Sequence, residues 1–188
     1  MTDPLQDVTA VVTPVANQDI VFHITEDGDR RKISFWSSKN PDEKRGRQYN
    51  TENLKISGNP IFVNSGLPNL AAVAYKNPHT DQDEVRVYYV HQNSLTVREI
   101  RRTGDGDWYE GQVFNQQSTD IAATSGLTAN VVTIRTKVSD GNCDHDPVYK
   151  TEYQLKVYYQ RKPDVLNVSY SVLSQSDENW ATRNGVNQ

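Results

Sequence analysis

Two charged residues of opposite sign stand among apolar residues in the stretch 84–100, EVRVYYVHQNSLTVREI. The stretch reads as two strands around a short turn, with Arg86 in the first strand and Glu99 in the second. A planar guanidinium and a carboxylate held together can grip the hydroxyl groups of a ligand through charge-assisted hydrogen bonds. The same residues can also form a cross-strand ion pair on a solvated sheet face, which contributes little to stability. The pattern therefore supports either a ligand clamp or a surface salt bridge.

The other residues capable of chemistry do not group into a catalytic or metal-binding pattern. The segment 142–147, NCDHDP, gathers Cys143 and His145 with two aspartates. No second Cys or His stands at zinc-like spacing, which favours an exposed acidic loop. The remaining histidines are scattered, and no Ser/His/Asp or Cys/His order suggests a triad. We therefore predict a protein that is not an enzyme and that binds no cofactor or metal.

Length and charge narrow the choice of partners. The chain has 188 residues with 24 acidic against 20 basic side chains, for a net charge of -4. It suits a single unit spanning 1–188 and has no basic footprint for nucleic acid or an anionic membrane. No run is long enough to cross a membrane, and the first residues lack the basic and apolar regions of a secretory signal. We expect no nucleic-acid partner, no membrane insertion, and a protein that is cytoplasmic or secreted without a leader.

Short runs of Val, Ile, Tyr, Phe and Thr cover most of the chain, and Gly, Pro, Asn and Asp separate them. Helical spacing is nearly absent, so the chain is predicted to be all-β. Two polar stretches, 39–60 and 138–152, are predicted to be long surface loops or edge excursions. The predicted strands are 9–13, 19–25, 31–37, 69–76, 84–91, 95–102, 129–137, 154–161 and 166–173.

The strands repeat with a long period. RVYYVHQ at position 86 returns as KVYYQRK at position 156, an offset of 156 − 86 = 70 residues. Each copy follows an apolar run and precedes an alternating strand and a Trp-bearing turn, GDGDWYEG in one and SDENWATR in the other. A weaker copy occupies the start of the chain. The blade-like repeats lie at about 9–60, 69–115 and 129–188.

An antiparallel unit of four strands, repeated radially, is the blade of a β-propeller. A ring needs about four to eight blades to close, so three units in one chain are too few. The prediction is a ring of six blades, closed when two copies of the chain assemble as a homodimer. A β-sandwich built from duplicated hairpins is the alternative. The recurrence of the Trp-bearing turn in register with the YY strand favours the propeller.

The second unit, LAAVAY…VRVYYVHQNSLTVREI…WYEG, resembles a blade of the fungal fucose-binding lectins of the Aleuria aurantia type. Residues 69–112 match the order of that blade, residues 129–184 match it in outline, and residues 9–37 match it faintly. The sharpest matches are Arg86, Glu99, Trp108 and Gly111. The resemblance implies a six-bladed propeller in which the sugar lies between neighbouring blades.

The resemblance also implies which residues hold the sugar. One blade of the family contributes an Arg and a Glu, and the next blade contributes a Trp, so the sugar-binding residues carried onto this chain are Arg86, Glu99 and Trp180. The other two units lack this clamp, which leaves one site per chain. Their corresponding positions are Lys156 with Ser169 or Tyr170 in the third unit, and Ile20 with Ser34 in the first.

Two functions remain open from the sequence. The first is a lectin that recognises fucose or a fucosylated glycan in a pocket between adjacent blades, strengthened by avidity in an oligomer. The second is a propeller-type scaffold or protein-interaction subunit that has lost most of its sugar pockets, which the two degenerate units support.

Overall fold

The computed structural model describes residues 7–38, 49–117, 119–139, 148–174 and 178–186. Its regular structure consists of three antiparallel sheets, a two-stranded pair and one short helix, and we name the sheets blade 1, blade 2 and blade 3 in chain order. Blade 1 contains β1 (Val8–Val12), β2 (Asp19–Asp27), β3 (Arg30–Ser38), β4 (Asn50–Asn53) and β7 (Phe62–Val63). Blade 2 contains β8 (Leu70–Lys76), β9 (Asp83–Val90), β10 (Val97–Thr103) and β11 (Tyr109–Glu110). Blade 3 contains β12 (Leu127–Ser139), β13 (Val148–Lys162), β14 (Val165–Val172) and β15 (Trp180–Arg183). The small pair is β5 (Lys55–Ile56) with β6 (Asn59–Pro60), and the helix α1 spans Gln112–Asn115.

Apart from β7, the strands of each blade form a meander in which consecutive strands are antiparallel neighbours. The β2–β3 turn contains Gly28 at φ 62°, and the β13–β14 turn contains Asp164 at φ 64°. Glycine adopts this left-handed conformation without strain, and aspartate tolerates it better than most residues. The turn residues therefore allow the chain to reverse direction between strands that carry the apolar runs.

The blades stand side by side with blade 2 in the middle. Its first strand, β8, contacts β1 of blade 1 and β12 of blade 3. Two hydrophobic clusters fill the two junctions. One includes Phe22 of blade 1 and Val87 of blade 2, and the other includes Tyr88 of blade 2 and Leu155 of blade 3. Because successive residues of a strand point to opposite faces, β9 supplies side chains to both clusters.

The burial of the strands agrees with the central position of blade 2 between blades 1 and 3. Every residue of β9 is buried, whereas β2 and the inner part of β13 alternate between buried and half-buried positions. A strand covered on both faces becomes buried throughout, and a strand covered on one face keeps the period of two. Among the described residues, blade 2 is therefore covered on both faces, while blades 1 and 3 each keep one uncovered face.

The structure confirms the all-β prediction and the four-stranded antiparallel blade, including the short fourth strands β11 and β15 after the Trp-bearing turns. Blade 1 adds a fifth strand, β7, which pairs with β3. The three blades leave the ring open.

The described parts of the two stretches predicted as long surface loops or edge excursions contain strands, so an interpretation as loops alone is wrong. The strands β4, β5 and β6 fall within 39–60, and the ends of β12 and β13 fall within 138–152. The sequence of β4, NTEN, is polar and exposed throughout, so it carries no alternating pattern. It pairs with β3 through the backbone and through a hydrogen bond from the Ser34 hydroxyl to Asn53. Residues 39–48 and 140–147, including the NCDHDP segment, lie outside the described residues.

Candidate functional site

The face of blade 2 that meets blade 3 carries a group of charged residues. Register places Arg101 opposite Arg86, and Glu99 opposite Tyr88, on the neighbouring strands β10 and β9. Tyr88 belongs to the cluster shared with blade 3, and directly opposite residues of a sheet share a face. The hairpin thus brings these side chains together on one side, where blade 3 covers them.

Arg86 and Glu99 form a buried pair. The Arg86 Nη1 atom donates to Glu99 Oε1 at 3.0 Å, and the Tyr88 hydroxyl donates to the same oxygen at 2.7 Å. Arg86 is 3% exposed and Glu99 is 0% exposed. This burial separates the pair from an ordinary surface salt bridge, because removing charges from water is costly unless they are paired and hydrogen-bonded.

Neighbouring residues fix the position of Glu99, both at its backbone and at its carboxylate. Asn115 of α1 accepts from the backbone NH of Glu99 at 2.7 Å and donates to its carbonyl at 3.0 Å. A side chain at Gly111 would overlap the Glu99 carboxylate, so the absence of a Cβ there makes room for it. Glu99 Oε2 is buried and has no hydrogen-bond partner among the described residues. One of the two carboxylate oxygens of Glu99 is therefore left without a hydrogen bond.

Two further carboxylates, which sequence reasoning did not identify, belong to the group. Glu178 lies in the turn before β15, and its Oε1 atom accepts from Arg86 Nη1 at 2.7 Å. Its Oε2 atom accepts from Arg101 Nη1. Arg101 Nη2 also lies 2.5 Å from Glu84 Oε1, and Glu84 is completely buried. Two guanidinium groups and three carboxylates thus alternate across the junction between blades 2 and 3.

The available signals for these extra residues were weak. Arg101 follows Glu99 by two positions and so shares its face of the strand, which the period of two predicts. Glu178 precedes Trp180 by two positions in a turn, where sequence alone does not fix the direction of a side chain. Only the packing of blade 3 on blade 2 brings Glu178 to the guanidinium groups.

Trp180 lies close to the site but inside the core. It is 5% exposed, and its ring packs edge-on against Phe114 at 4.8 Å and Tyr88 at 6.3 Å between centroids. The indole Nε1 donates to Glu178 Oε1 at 2.7 Å. Trp180 therefore touches the charged group through its polar edge.

A cavity of about 210 Å³ opens beside the charged group. Both blades line it, and Trp180 is not among the described residues of its wall. Tyr75, which lines the cavity, is only 7% exposed. Its hydroxyl is buried and has no hydrogen-bond partner within the described part of the chain. An unpaired hydroxyl beside two guanidinium groups makes this cavity the best candidate for a polar ligand. The remaining wall residues are Asn77, Pro78, His79, Ser171, Val172 and Leu173.

A larger cavity of about 650 Å³ lies elsewhere on blade 3 and is lined by residues such as Arg161, Lys162 and Asn167. Arg161 forms a long ion pair with Asp120 at 3.7 Å, and both side chains are exposed. Size alone would favour this cavity. We favour the smaller one because it borders the buried charges and the unpaired hydroxyl.

Burial and pairing act differently on the two carboxyl groups that bind Arg86. Burial raises the pKa of Glu99, and the attraction of Arg86 offsets this only in part. Burial also acts to raise the pKa of Glu178, but Arg86, Arg101 and the Trp180 NH outweigh it, so that pKa lies below its ordinary value. Glu178 is thus the more firmly ionised partner of the two.

The junction between blades 1 and 2 is mainly apolar, and its buried arginine, Arg102, lies 4.9 Å from the centre of the Trp108 ring and donates to Gln18. The Trp108 ring lies 5.7 Å from Phe22 and 5.8 Å from Phe35 between centroids. Ile20 is fully buried in this cluster, whereas Ser34 bonds the Thr25 hydroxyl at 2.9 Å. The clamp positions of the first unit therefore do not form a polar pair.

The clamp positions of blade 3 lie in two different environments. Lys156 is half-buried opposite Tyr170, on the face that the described chain leaves uncovered. Ser169 is buried and its hydroxyl lies 3.1 Å from the Tyr159 hydroxyl. Neither arrangement reproduces the Arg86–Glu99 pair.

The described residues hold no group of three or more His, Cys, Asp or Glu side chains arranged to bind a metal ion. Within the same ranges, no helix is long and apolar enough to cross a membrane.

Comparison with solved structures identifies the class of fold. No family model matches the sequence, and no curated protein matches it. A mutant of the Aleuria aurantia lectin in complex with Fucalpha1-6GlcNAc has a similar structure, with a TM-score of 0.58 and 20% sequence identity over 97% of this chain. A second structure of a mutant of this lectin, with alpha-methyl-L-fucoside, is 14% identical over 97% of this chain at a TM-score of 0.44.

The chain has the fold of the Aleuria aurantia lectin, which is built from β-propeller blades. It covers 50% of the first lectin chain and 63% of the second. The resemblance read from the second unit is therefore confirmed at the level of fold.

Proposed function

We propose that this protein is a carbohydrate-binding lectin and that it recognises fucose or a fucosylated glycan at the junction between blades 2 and 3. The observation that carries the proposal is the buried Arg86–Glu99 pair beside a cavity that Arg86 and Tyr75 help to line, with the Tyr75 hydroxyl buried and unpaired among the described residues. Buried charges and unpaired hydroxyls are costly to a fold, and ligand binding is a reason to keep them.

The chemistry of the cavity suits a sugar. Guanidinium groups donate to hydroxyl oxygens, carboxylates accept from hydroxyl hydrogens, and Tyr75 can do either. Burial raises the pKa of the Tyr75 hydroxyl, so the group keeps its proton and remains a donor. The volume of about 210 Å³ is below the ~300–1,000 Å³ of pockets for drug-sized ligands, which favours a single sugar ring.

The apolar contact of the sugar comes from the rim in this proposal. Pro78, Val172 and Leu173 line the cavity and can pack against the C–H face of a ring. Trp180, whose indole is buried, acts behind them by holding Glu178 and by filling the core. The resemblance implies that the C–H face of the sugar lies on the indole of Trp180; that role stays a prediction, and binding would have to expose the indole.

The fold comparison supports a sugar over other ligands. The solved lectin structure with a similar fold at a TM-score of 0.58 is a complex with Fucalpha1-6GlcNAc. This likeness supports a non-enzymatic carbohydrate-binding role, while the choice of fucose rests on the proposal.

We further propose that two copies of the chain form a homodimer that completes a ring of six blades. Val8, Val12 and Trp36 are 61%, 54% and 44% exposed on the uncovered side of blade 1. The uncovered side of blade 3 carries the half-buried Tyr158 and Tyr170. Packing the first face on the second would cover both apolar surfaces, and a two-fold axis would generate the same contact twice.

A glycan array followed by fucose titration tests the sugar proposal. Wild type should bind fucosylated glycans, and both Arg86→Ala and Arg86→Lys should lose binding, because lysine keeps the charge but not the planar pair of donors. Arg161→Ala removes an arginine from the larger cavity and should bind like wild type. Absence of sugar binding in folded wild type would refute the proposal. Trp180→Ala tests the stacking role separately.

Light scattering tests the assembly. Wild type should have the mass of two chains, and Trp36→Glu should dissociate it. Val113→Glu alters an exposed apolar residue that lies on α1 and should leave the dimer intact. A monomeric wild type contradicts closure by two chains.

A scaffold or protein-interaction subunit remains the second candidate. The observation that favours it is the uncovered apolar face of blade 1, together with the two clamp positions that hold no Arg–Glu pair. A dimer without sugar binding in the experiments above would select this function.

A further inference from the structure

The carboxylate of Glu178 occupies the donors that a ligand would use. We propose that Arg86 and Arg101 form a carboxylate-binding site, that Glu178 fills this site from within the chain, and that a sugar reaches Arg86 only when this carboxylate leaves. The effect on sugar rests on the proposed lectin function, whereas the carboxylate site stands on its own geometry.

Three residues from two blades donate hydrogen bonds to Glu178. Its Oε1 atom accepts from Arg86 Nη1 at 2.7 Å and from Trp180 Nε1 at 2.7 Å, and its Oε2 atom accepts from Arg101 Nη1. Arg86 Nη2 also donates to Oε2, at 3.5 Å. Both oxygens of one carboxylate are therefore satisfied, which is the arrangement that guanidinium groups favour with a bound acid.

The blade architecture does not require this carboxylate. Glu178 stands two residues before Trp180, and the same position before Trp108 in blade 2 is Gly106. The junction that contains Trp108 is closed by aromatic rings and has no carboxylate at this turn position. Glu178 is therefore a feature of the polar junction and is not part of the repeated scaffold.

Glu178 is also placed where it can be exchanged. Its side chain is 19% exposed and lines the cavity, whereas Glu84 and Glu99 are completely buried on their strands. The guanidinium groups lower the pKa of Glu178, so it is an ionised ligand at neutral pH. A carboxylate that reaches in from a turn at the cavity wall can be replaced from solvent more readily than one fixed within a buried strand.

The contact affects recognition of a neutral sugar. When a sugar hydroxyl replaces Glu178, Arg86 loses a charged hydrogen-bond acceptor and gains a neutral one. The apparent affinity for the sugar is then reduced by the fraction of molecules in which Glu178 remains bound. Glu178 thereby acts as an internal competitor for the clamp.

Rescue by acetate tests the carboxylate site without any sugar. Glu178→Ala should unfold at a lower temperature than wild type, and sodium acetate should raise its Tm more than sodium chloride at the same ionic strength. Wild type, whose site is filled, should show no difference between the two salts. A second variant, Glu178→Ala combined with Arg101→Met, should lose the acetate effect.

Each result of this experiment decides the question. An equal response of Glu178→Ala to acetate and chloride would overturn the proposal. If Glu178→Ala is unfolded in chloride, its recovery in acetate supports the site, and its failure to fold in both salts overturns it.

Titration with L-fucose tests the competition. Glu178→Ala should bind fucose at least about tenfold more tightly than wild type, since charged hydrogen bonds no longer have to be broken, and acetate should weaken that binding. Fucose affinity equal to or below that of wild type would overturn the inhibitory role. If neither protein binds fucose but acetate still stabilises Glu178→Ala selectively, the lectin proposal fails and the carboxylate site stands.

Discussion

The two junctions of this chain use the same blade architecture and opposite chemistry. Between blades 1 and 2, Phe22 and Phe35 meet Trp108 in an aromatic cluster. Between blades 2 and 3, Arg86 and Glu99 meet Glu178 under cover of Trp180. The first junction is mainly apolar and buries the guanidinium group of Arg102, which donates to Gln18, whereas the second brings together two guanidinium groups and three carboxylates that a hydrophobic junction would avoid. The contrast teaches that the polar junction is kept for a purpose other than joining blades.

The largest effect is expected from Arg86→Ala. This change leaves Glu99 and Glu178 without their shared cation, and removal of one partner of a buried ion pair costs about 3–5 kcal/mol. Urea unfolding should show the loss together with loss of sugar binding. Arg161→Ala, at an exposed arginine, should stay within about 0.5 kcal/mol of wild type. A stable Arg86→Ala protein would show that the polar junction is not an interdependent group.

Phe22→Ala should separate stability from binding. Phe22 is fully buried in the aromatic junction, and truncation of a buried Phe costs about 3 kcal/mol or somewhat more. The midpoint of urea unfolding should therefore fall, while the affinity of the remaining folded protein for sugar stays unchanged. Loss of sugar affinity in the folded fraction would mean that the two junctions are coupled through blade 2.

Gly111→Ala should destabilise the protein by displacing the Glu99 carboxylate in the polar junction. The added methyl group would overlap the Glu99 carboxylate, and forced overpacking of this kind costs about 1–3 kcal/mol. Gly126→Ala is the matched control, because a methyl group there meets no atom within 4 Å. Thermal unfolding of the two variants measures the difference, and equal stability would place the Glu99 carboxylate elsewhere.

The smallest effect is expected from Glu178→Gln, and it should depend on pH. The pKa of Glu178 lies below its ordinary value of 4.5, so its ionised form stabilises the fold above that pH. We expect the variant to lose about 1 kcal/mol at neutral pH. The gap to wild type should close as the pH falls below 4.5 and wild-type Glu178 becomes protonated.

Glu99→Gln should show the opposite pH dependence of stability relative to wild type. Burial raises the pKa of Glu99, so its contribution to stability is complete below its ordinary pKa of 4.5 and declines as the pH rises through the raised value. Wild type should therefore lose stability relative to Glu99→Gln as the pH increases. Denaturation curves over this range measure both variants, and slopes of the same sign would contradict the assignment of the two carboxyl groups.

Much of the fold could be predicted because strand periodicity is local. The YY strands, the alternating strands after them and the Trp-bearing turns each occupy a short stretch of sequence, and the structure has them as β9 and β13, β10 and β14, and the turns before β11 and β15. The polar edge strand β4 was missed because its residues are exposed and do not alternate. Backbone pairing with a neighbour leaves no pattern in such a segment.

The candidate site was predicted in part. Arg86 and Glu99 lie on adjacent strands of one hairpin, so their proximity follows from the local register. Glu178 and Tyr75 approach them from distant parts of the chain, and the burial of Trp180 depends on packing against Phe114. The family resemblance implied that Trp180 contacts the sugar, and the structure places the Trp180 ring in the core, where its NH donates to Glu178.

By itself the sequence determined that the chain forms antiparallel blades and that one hairpin carries an Arg and a Glu. Alternation of side chains and the chemistry of turns act over a few residues, so these features can be read directly from the chain. The tertiary structure alone decided that blade 2 lies between the others and that blade 3 buries the Arg–Glu pair beneath a third carboxylate. Burial depends on which faces meet, and that is a property of the assembled blades because each strand can present either of its faces to a neighbour.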